Sequence, residues 1–111
     1  MELLADCRTR LAFDLLANTW HPVVVWALRD GPRRHGELRR VIGGISAKVL
    51  TEAVRRLEFD GLIERRDGAY ALTALGTSLL GPIEGFGRWA ADHGDDVLAA
   101  QDRALSRGQA G

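Results

Sequence analysis

The chain has 111 residues, enough for one domain with a modest core and too few for two. Charged residues make up 27% and apolar residues 46%, which is typical of a soluble globular protein, and no apolar run approaches the roughly 20 residues of a membrane span. The formal net charge is zero, but residues 29–66 hold ten basic and six acidic side chains while both flanking segments are acidic, so the middle of the chain suits a polyanionic partner.

The N-terminal part of the chain predicts two helices. It has no apolar core of a secretory signal, and a single cysteine cannot form an internal disulfide, so we expect a cytoplasmic protein. Apolar residues at helical spacing predict a first helix over about 4–17. A second helix follows from an N-cap at Thr19 to Leu28, and because it is apolar nearly all round it is predicted to be central in the core. Its three consecutive valines leave a strand as the alternative.

A turn at Asp30-Gly31-Pro32 leads to a third predicted helix over about 34–41. Leu38 and Val41 are expected to face inward. The arginines are expected to face outward: Arg33, Arg34, Arg39 and Arg40. Gly43-Gly44 then forms a tight corner before the next helix. A helix, a short glycine-containing turn and a second helix make up the helix-turn-helix arrangement.

The stretch from Ser46 to Phe59 predicts the helix around which the chain is organised. Ser46 is the expected N-cap, and apolar residues at helical spacing mark a buried face at Leu50, Val54 and Leu57. The opposite face carries small, polar and basic residues: Ala47, Lys48, Thr51, Glu52 and Arg55. Small residues allow close approach to a major groove, and Thr, Lys and Arg side chains reach base edges or phosphates.

A β-hairpin is predicted directly after this helix. The runs Leu62–Arg66 and Ala69–Leu72 flank Asp67-Gly68, a dipeptide that favours a two-residue hairpin loop. A hairpin after a recognition helix is the wing of a winged helix. Arg65 and Arg66 are expected near its tip, within reach of DNA phosphates or the minor groove.

The C-terminal part predicts a short helix capped by Thr73 and, after Gly81-Pro82, a long one with a possible break at His93-Gly94. Apolar positions in the long helix recur at alternating gaps of three and four residues, with Trp89 beside them: Ile83, Phe86, Ala90, His93, Val97, Ala100 and Ala104. This heptad pattern predicts pairing with a second copy, and packing onto the chain's own core is the alternative. The domain is expected to span 1–105, with a disordered tail over 106–111.

No residue pattern indicates catalysis, a metal site or a cofactor. The three histidines, His21, His35 and His93, are widely separated, and a single cysteine gives no recognisable zinc spacing. Trp20, Trp26 and Phe13 are expected in the core, with the lining of a small-molecule effector pocket as the alternative. The sequence therefore favours a binding protein over an enzyme.

In these residues the chain resembles the HxlR-type winged helix-turn-helix transcriptional regulators of the MarR-like group. The resemblance covers residues 7–93 and rests on Cys7 with Trp20 thirteen residues later, on LRDGPRRHGELRRVIGGISAKVLTEAVRRLEFDGLIER, and on YALTALG followed by the Trp89 helix. It implies a mainly α fold with a small β-hairpin (α+β), a winged helix-turn-helix that dimerises through its N- and C-terminal helices. The wing is shorter here than is usual in the family.

The resemblance further implies a homodimer that binds double-stranded DNA at a roughly palindromic operator. The positions it implies for DNA contact carry Arg39, Arg40, Ser46, Lys48, Thr51, Arg55, Arg56, Arg65 and Arg66. The implied dimer interface includes Leu4, Leu11, Ile83, Phe86, Trp89, Ala90, His93 and Val97. Some members sense oxidants with the cysteine at the position of Cys7, and the alternative is an inert cysteine packed on the apolar face of the first helix. A winged helix that binds a protein instead of DNA is the second interpretation of the whole chain.

Overall fold

The computed structural model describes residues 7–110, which form helices and one two-stranded antiparallel hairpin. The elements in chain order are α1 Cys7–Ala17, α2 Trp20–Ala27, α3 His35–Ile42, α4 Ala47–Phe59, β1 Ile63–Arg66, β2 Ala69–Leu72, α5 Ala74–Ser78 and α6 Leu80–Ala110. This confirms the predicted mainly helical fold with a small hairpin. The chain divides into two compact units, Met1–Leu80 and Gly81–Gly111. Leu4, predicted at the dimer interface, lies outside the described residues.

The second helix is the centre of the first unit, as predicted, and it is a helix rather than a strand. Val24, Val25 and Leu28 are almost completely buried, and α2 packs against α1, α3 and α4. The predicted cap at Thr19 is wrong, because its backbone is already helical (φ −52°, ψ −40°), whereas an N-cap needs an extended backbone. Asn18 does this work instead: its Oδ1 accepts a hydrogen bond from the Trp20 backbone N–H at 2.9 Å.

The third helix is short and buries one residue completely. Leu38 lies in the core, as expected, but Val41 is about half exposed and the inward prediction for it is wrong. Ile42, four residues after Leu38 and so on the same side of the helix, is partly buried instead. The helix ends at Gly43, whose φ of +70° is a conformation that favours glycine.

The fourth helix has the cap and the buried face that the sequence predicts. Ser46 Oγ accepts a hydrogen bond from the Val49 backbone N–H at 3.1 Å, which satisfies one free donor of the first turn. The inner face buries four apolar side chains: Leu50, Ala53, Val54 and Leu57. Each large one contributes about 1.5–3 kcal/mol to stability by leaving water. Because these side chains are buried, the opposite face of α4 points away from the core.

The hairpin forms as predicted, with Ile63 paired to Leu72 at its base and Arg66 paired to Ala69 next to the turn. Asp67 and Gly68 have φ of +51° and +81°, the left-handed conformation expected of this two-residue loop. The hairpin also gains backbone from outside: Arg33 and Tyr70 exchange two backbone hydrogen bonds of 2.9 and 2.8 Å. The wing is therefore anchored to the segment that precedes α3.

The C-terminal elements are more continuous than predicted. Thr73 caps α5 as expected, its Oγ1 accepting from the Gly76 backbone N–H at 3.1 Å. Gly81-Pro82 does not separate two helices but lies in the first turn of α6, where a missing N–H is tolerated. Residues 93–94 and 106–110 are also helical, so the predicted break and the predicted disordered tail are not what the structure shows. No helix within residues 7–110 is both long and apolar enough to cross a membrane.

Candidate nucleic-acid interface

The outward face of α4 presents two cations on one side of the helix. Lys48 and Arg55 are both exposed, and neither forms an ion pair with any residue in the part of the chain that the structure describes. Seven residues separate them, so they project from the same side about 10.5 Å apart along the helix axis. The buried inner face holds the helix from behind. This geometry matches a helix that lies in a major groove with side chains free to reach bases.

Thr51, predicted to contact DNA, uses its hydroxyl group within the protein. Oγ1 donates to the Ala47 carbonyl oxygen at 2.9 Å and lies 3.1 Å from His35 Nε2. Because the hydroxyl proton is directed at Ala47, the imidazole nitrogen is the donor in the second bond. Hence the group that Thr51 has left for a base is chiefly its methyl, which suits the methyl group of thymine.

The arginines of α3 and of the last turn of α4 differ in how freely they can reach a phosphate. Arg40 is exposed, and Arg39 is exposed with a long contact of 3.4 Å from its Nε to the Ile45 carbonyl oxygen. Arg56, by contrast, forms an ion pair of 3.0 Å with Asp60 and lies over the Phe59 ring. The Asp60 side chain is only 14% exposed, so Arg56 is paired with a partly buried carboxylate and is less free to reach a phosphate than Arg39 or Arg40.

The wing brings two further arginines to the surface, each engaged with a neighbour in the hairpin. Arg65 donates to the Tyr70 hydroxyl at 2.8 Å, with its guanidinium 5.0 Å from the centre of that ring. Arg66 forms an ion pair of 2.6 Å with Glu64, and both side chains are largely exposed. Tyr70 therefore directs Arg65, whereas Arg66 is held only by a surface ion pair that a phosphate can replace.

A segment that the sequence did not single out lies between these two elements. Arg34 donates from Nη2 to the Asp67 carbonyl oxygen of the wing turn at 3.1 Å, and the next residue, His35, donates to Thr51 of α4. These contacts join residues 33 and 16 positions apart in the chain. No local pattern signals them, so only the fold reveals that this segment contacts both candidate DNA-binding elements.

The fold favours one protonation state of His21, which lies on α2. Burial lowers its pKa below the ordinary value of 6.5, the nearby Arg56 lowers it further, and Asp60 opposes both. Its Nδ1 is buried and has no hydrogen-bond partner among residues 7–110. The neutral imidazole is therefore the form that the folded protein favours.

The predicted dimerisation residues that the structure describes carry large exposed apolar side chains. On α6, Phe86 is 57% and Trp89 55% exposed, and the Trp89 and His93 rings lie 5.3 Å apart. On α1, Leu11 and Phe13 are more than half exposed, so the prediction that Phe13 lies in the core is wrong for a single chain. The seam positions of α6 are mostly exposed, with Ile83 partly buried: Ile83, Phe86, Ala90, His93 and Val97.

Cys7 is exposed at the start of the described part of α1. An inert cysteine buried among the apolar residues of that helix is therefore not what the single chain shows. An exposed thiol is open to reagents in solution.

Two observations bear on small ligands. Within residues 7–110, no three His, Cys, Asp or Glu side chains come close enough together to hold a metal ion. An open groove of about 250 Å³ lies on the first unit, mostly apolar, and its lining residues are Leu11, Leu15, Asp60, Leu62, Leu75, Ser78 and Leu79. Trp20, Trp26 and Phe13, predicted as the alternative lining of an effector pocket, are not among them.

Comparison with known proteins identifies the family to which this chain belongs. A sequence profile described as HxlR-like helix-turn-helix matches residues 15–97, most of the chain. The chain belongs to the HxlR-like helix-turn-helix family. One relative is the HTH-type transcriptional regulator YtfH of Escherichia coli (strain K12), 31% identical over 104 residues that cover 87% of this chain and 82% of that protein. Another is the HTH-type transcriptional regulator YodB of Bacillus subtilis (strain 168), 34% identical over 71% of this chain and 77% of YodB.

Solved structures agree with this assignment. The crystal structure of quinone-bound YodB superposes with a TM-score of 0.72 at 34% identity and covers 77% of this chain and 97% of that one. The redox regulator HypR in its reduced form shares the fold, with a TM-score of 0.73 at 23% identity. These relatives are transcriptional regulators rather than enzymes. This HxlR-like protein is accordingly a DNA-binding transcriptional regulator with a winged helix-turn-helix, as the sequence predicts.

Proposed function

We propose that this HxlR-like protein binds, as a homodimer, to an inverted-repeat operator in double-stranded DNA. The observation that carries the proposal is the outer face of α4, where Lys48 and Arg55 project freely from a helix capped at Ser46 and buried along its inner side. Two copies related by a two-fold axis would place their α4 helices in successive major grooves, roughly 34 Å apart. The protein then acts where its operator is, in the cytoplasm.

The dimer is supported by the exposed apolar surface of α6 and α1. Phe86, Trp89 and Val97 expose large apolar side chains to water, and contiguous exposed apolar surface is characteristic of protein–protein interfaces. In the proposed dimer they pack against their counterparts, together with the other predicted interface residues: Leu4, Leu11, Ile83, Ala90 and His93. The heptad spacing of the α6 positions suits helix–helix packing between two copies.

The proposed contacts divide into those that read bases and those that fix position. Lys48 and Arg55 of α4 read base edges, and Thr51 offers its methyl group. Phosphates are bound by a surrounding set of side chains: Arg39, Arg40, Ser46, Arg56, Arg65 and Arg66. Ser46 contributes through its hydroxyl proton, because its oxygen already accepts the cap bond. Phosphate contacts set the register on DNA and carry no sequence information of their own.

We further propose that the regulator responds to an oxidant or electrophile at Cys7. Its thiol is exposed, and the relative YodB is known in a quinone-bound form. Modification of a residue on α1 would disturb the proposed dimer contacts and so change the spacing of the two α4 helices. A reversible loss of operator affinity is the expected consequence.

Selection of random duplexes on the purified protein, with and without diamide, tests these proposals together. The enriched sites should be inverted repeats with centres about one helical turn, 10–10.5 base pairs, apart. The logarithm of the binding constant should fall linearly with the logarithm of the salt concentration, with a slope of about −0.9 for each phosphate neutralised. Diamide should weaken operator binding by the wild type and should leave operator binding by Cys7→Ser unchanged.

Three other results would contradict these proposals. A site without two-fold symmetry would contradict the homodimer, and equal diamide sensitivity in Cys7→Ser would contradict the thiol response. Affinity for duplexes that ignores salt, or is absent, would favour the interpretation that this winged helix binds a protein partner.

A further inference from the structure

We propose that Arg34 is a positioning residue that holds the tip of the wing against the start of α3 and thereby sets where Arg66 meets DNA. The proposal rests on the proposed DNA-binding function and assigns a role to a side chain outside the predicted contact set. Three features of the described chain support this role: the contact of Arg34 with the wing turn, the glycine beneath its guanidinium, and the anchoring of the residues on either side.

The first feature is the hydrogen bond from Arg34 Nη2 to the Asp67 carbonyl oxygen, 3.1 Å long. Asp67 is the first residue of the two-residue turn, so the guanidinium grips the backbone at the tip of the hairpin. A charged donor to a carbonyl is a stronger hydrogen bond than a neutral one. The strands have only four residues each, so this contact at the turn adds to the support that the hairpin receives from Arg33.

The second feature is that Gly68 leaves room for this contact. A Cβ atom on Gly68 would lie 2.6 Å from Arg34 Nη1 and 3.6 Å from Cζ, so the guanidinium occupies the place of the missing side chain. Gly68 also has a φ of +81°. Gly68 therefore permits both the turn conformation and the close approach of Arg34.

The third feature is the anchoring of the neighbours of Arg34. The Arg33 backbone pairs with Tyr70 of β2, and Arg33 Nε donates to the Ala27 carbonyl oxygen at 2.9 Å. On the other side, His35 donates to Thr51 of α4. Arg34 thus extends from a fixed point between the core helix α2 and the recognition helix. Its grip on the wing tip ties the two proposed DNA-binding elements to one segment.

The rival role for Arg34 is a direct phosphate contact. A guanidinium has five N–H donors and only one is used here, so chemistry alone does not separate positioning from binding. The two roles differ in how the loss of Arg34 combines with the loss of Arg66. Arg65 is directed by the Tyr70 hydroxyl, so a residue that positions the wing tip acts through Arg66. Such a residue loses its effect once Arg66 is removed, whereas an independent phosphate contact does not.

A double-mutant cycle on the selected operator measures this difference. Arg34→Ala should weaken binding on the order of threefold to tenfold, as expected for the loss of one exposed charge-assisted hydrogen bond. Combining it with Arg66→Ala should add less than about twofold to the effect of Arg66→Ala alone. The matched control is Arg40→Ala, an exposed arginine of α3, the helix that Arg34 precedes, and its effect should multiply fully with that of Arg66→Ala.

A DNA-free measurement separates failure of this proposal from failure of DNA binding itself. Amide hydrogen exchange at Gly68 and Ala69 should be faster in Arg34→Ala than in the wild type, with exchange in α4 unchanged, and Arg34→Lys should restore part of the protection.

Three results would overturn the positioning role. They are unchanged exchange at the wing turn, effects of Arg34→Ala and Arg66→Ala that multiply, or a salt slope that falls by about one unit in Arg34→Ala even when Arg66 is already absent. If the wild type bound no duplex but the exchange difference appeared, the wing attachment would stand and the DNA-binding proposal would fall.

Discussion

The two helices that matter most for the proposed function, α4 and α6, treat their apolar faces in opposite ways. In α4 the apolar face is closed within the chain, with Leu50 and Val54 completely buried. In α6 the apolar positions are open, and Phe86 and Trp89 expose more than half of their surface. The apolar face of α4 is covered within the chain, whereas that of α6 is exposed, and we propose that a second copy covers it.

Length explains the difference. α4 has 13 residues, and the chain turns back after it through the β1–β2 hairpin. Short neighbouring elements can therefore cover the apolar face of α4. α6 has 31 residues and is about 46 Å long, while the other helices within residues 7–110 have at most 13. No described helix is long enough to cover its seam from end to end. A second α6 would be long enough, which is why we propose that a dimer forms through this helix.

The largest expected effect comes from breaking the closed face. Leu50→Ala should lower the free energy of unfolding by about 2–5 kcal/mol, because it leaves a cavity in a fully buried site. Urea denaturation followed by circular dichroism measures it. The matched control is Leu105→Ala on α6, where the side chain is 65% exposed and a change within about 0.5 kcal/mol is expected. Equal losses at both sites would contradict the contrast between the helices.

The open face is tested by the double variant Phe86→Ala/Trp89→Ala. Removing both large aromatics should raise the dimer dissociation constant on the order of a hundredfold or more, since buried aromatic anchors dominate interfaces. Sedimentation equilibrium measures the change. Asp95→Ala, on the opposite side of α6, is the control and should leave the dimer intact. A wild-type protein that sediments as a monomer would remove the basis for the inverted repeat.

The outer face of α4 is tested by Arg55→Ala. We expect a loss of about 1–3 kcal/mol in binding to the selected operator, together with relaxed specificity at one base pair. Fluorescence anisotropy against the operator and its single-base variants measures both. Arg103→Ala on α6 removes the same charge elsewhere and should change affinity little. An equal loss on all duplexes would reassign Arg55 from base reading to phosphate contact.

The smallest expected effect concerns the core beneath the end of α4. The pKa of His21 is lowered on folding, so the unfolded chain binds a proton more readily there, and stability is lost as the pH falls below the ordinary value of 6.5. Urea midpoints at about pH 7.5 and about pH 5.5 should differ more in the wild type than in His21→Gln. An identical difference in both proteins would show that other groups carry the pH dependence.

Much of the fold follows from the sequence, because the deciding signals are local. Ser46 and Thr73 cap helices through bonds to residues three positions away, and Asp67-Gly68 sets the hairpin by its own backbone conformation. The buried face of α4 follows from the spacing of its apolar residues. Local signals failed where two neighbours competed, as when Asn18 rather than Thr19 caps α2.

What only the tertiary structure decided are the contacts between residues distant in the chain. His35 donates to the Thr51 hydroxyl across 16 positions of the chain, and Cys7 and Phe13 are exposed because the rest of the described chain does not cover them. The tertiary structure also placed Arg34 on the wing turn, 33 residues further along the chain. Spacing within a helix fixes which face a residue is on, but the neighbour that face meets depends on how the whole chain returns. For that reason the outward face of α4 could be predicted from the sequence, and the distant residues that contact α4 and the wing could not.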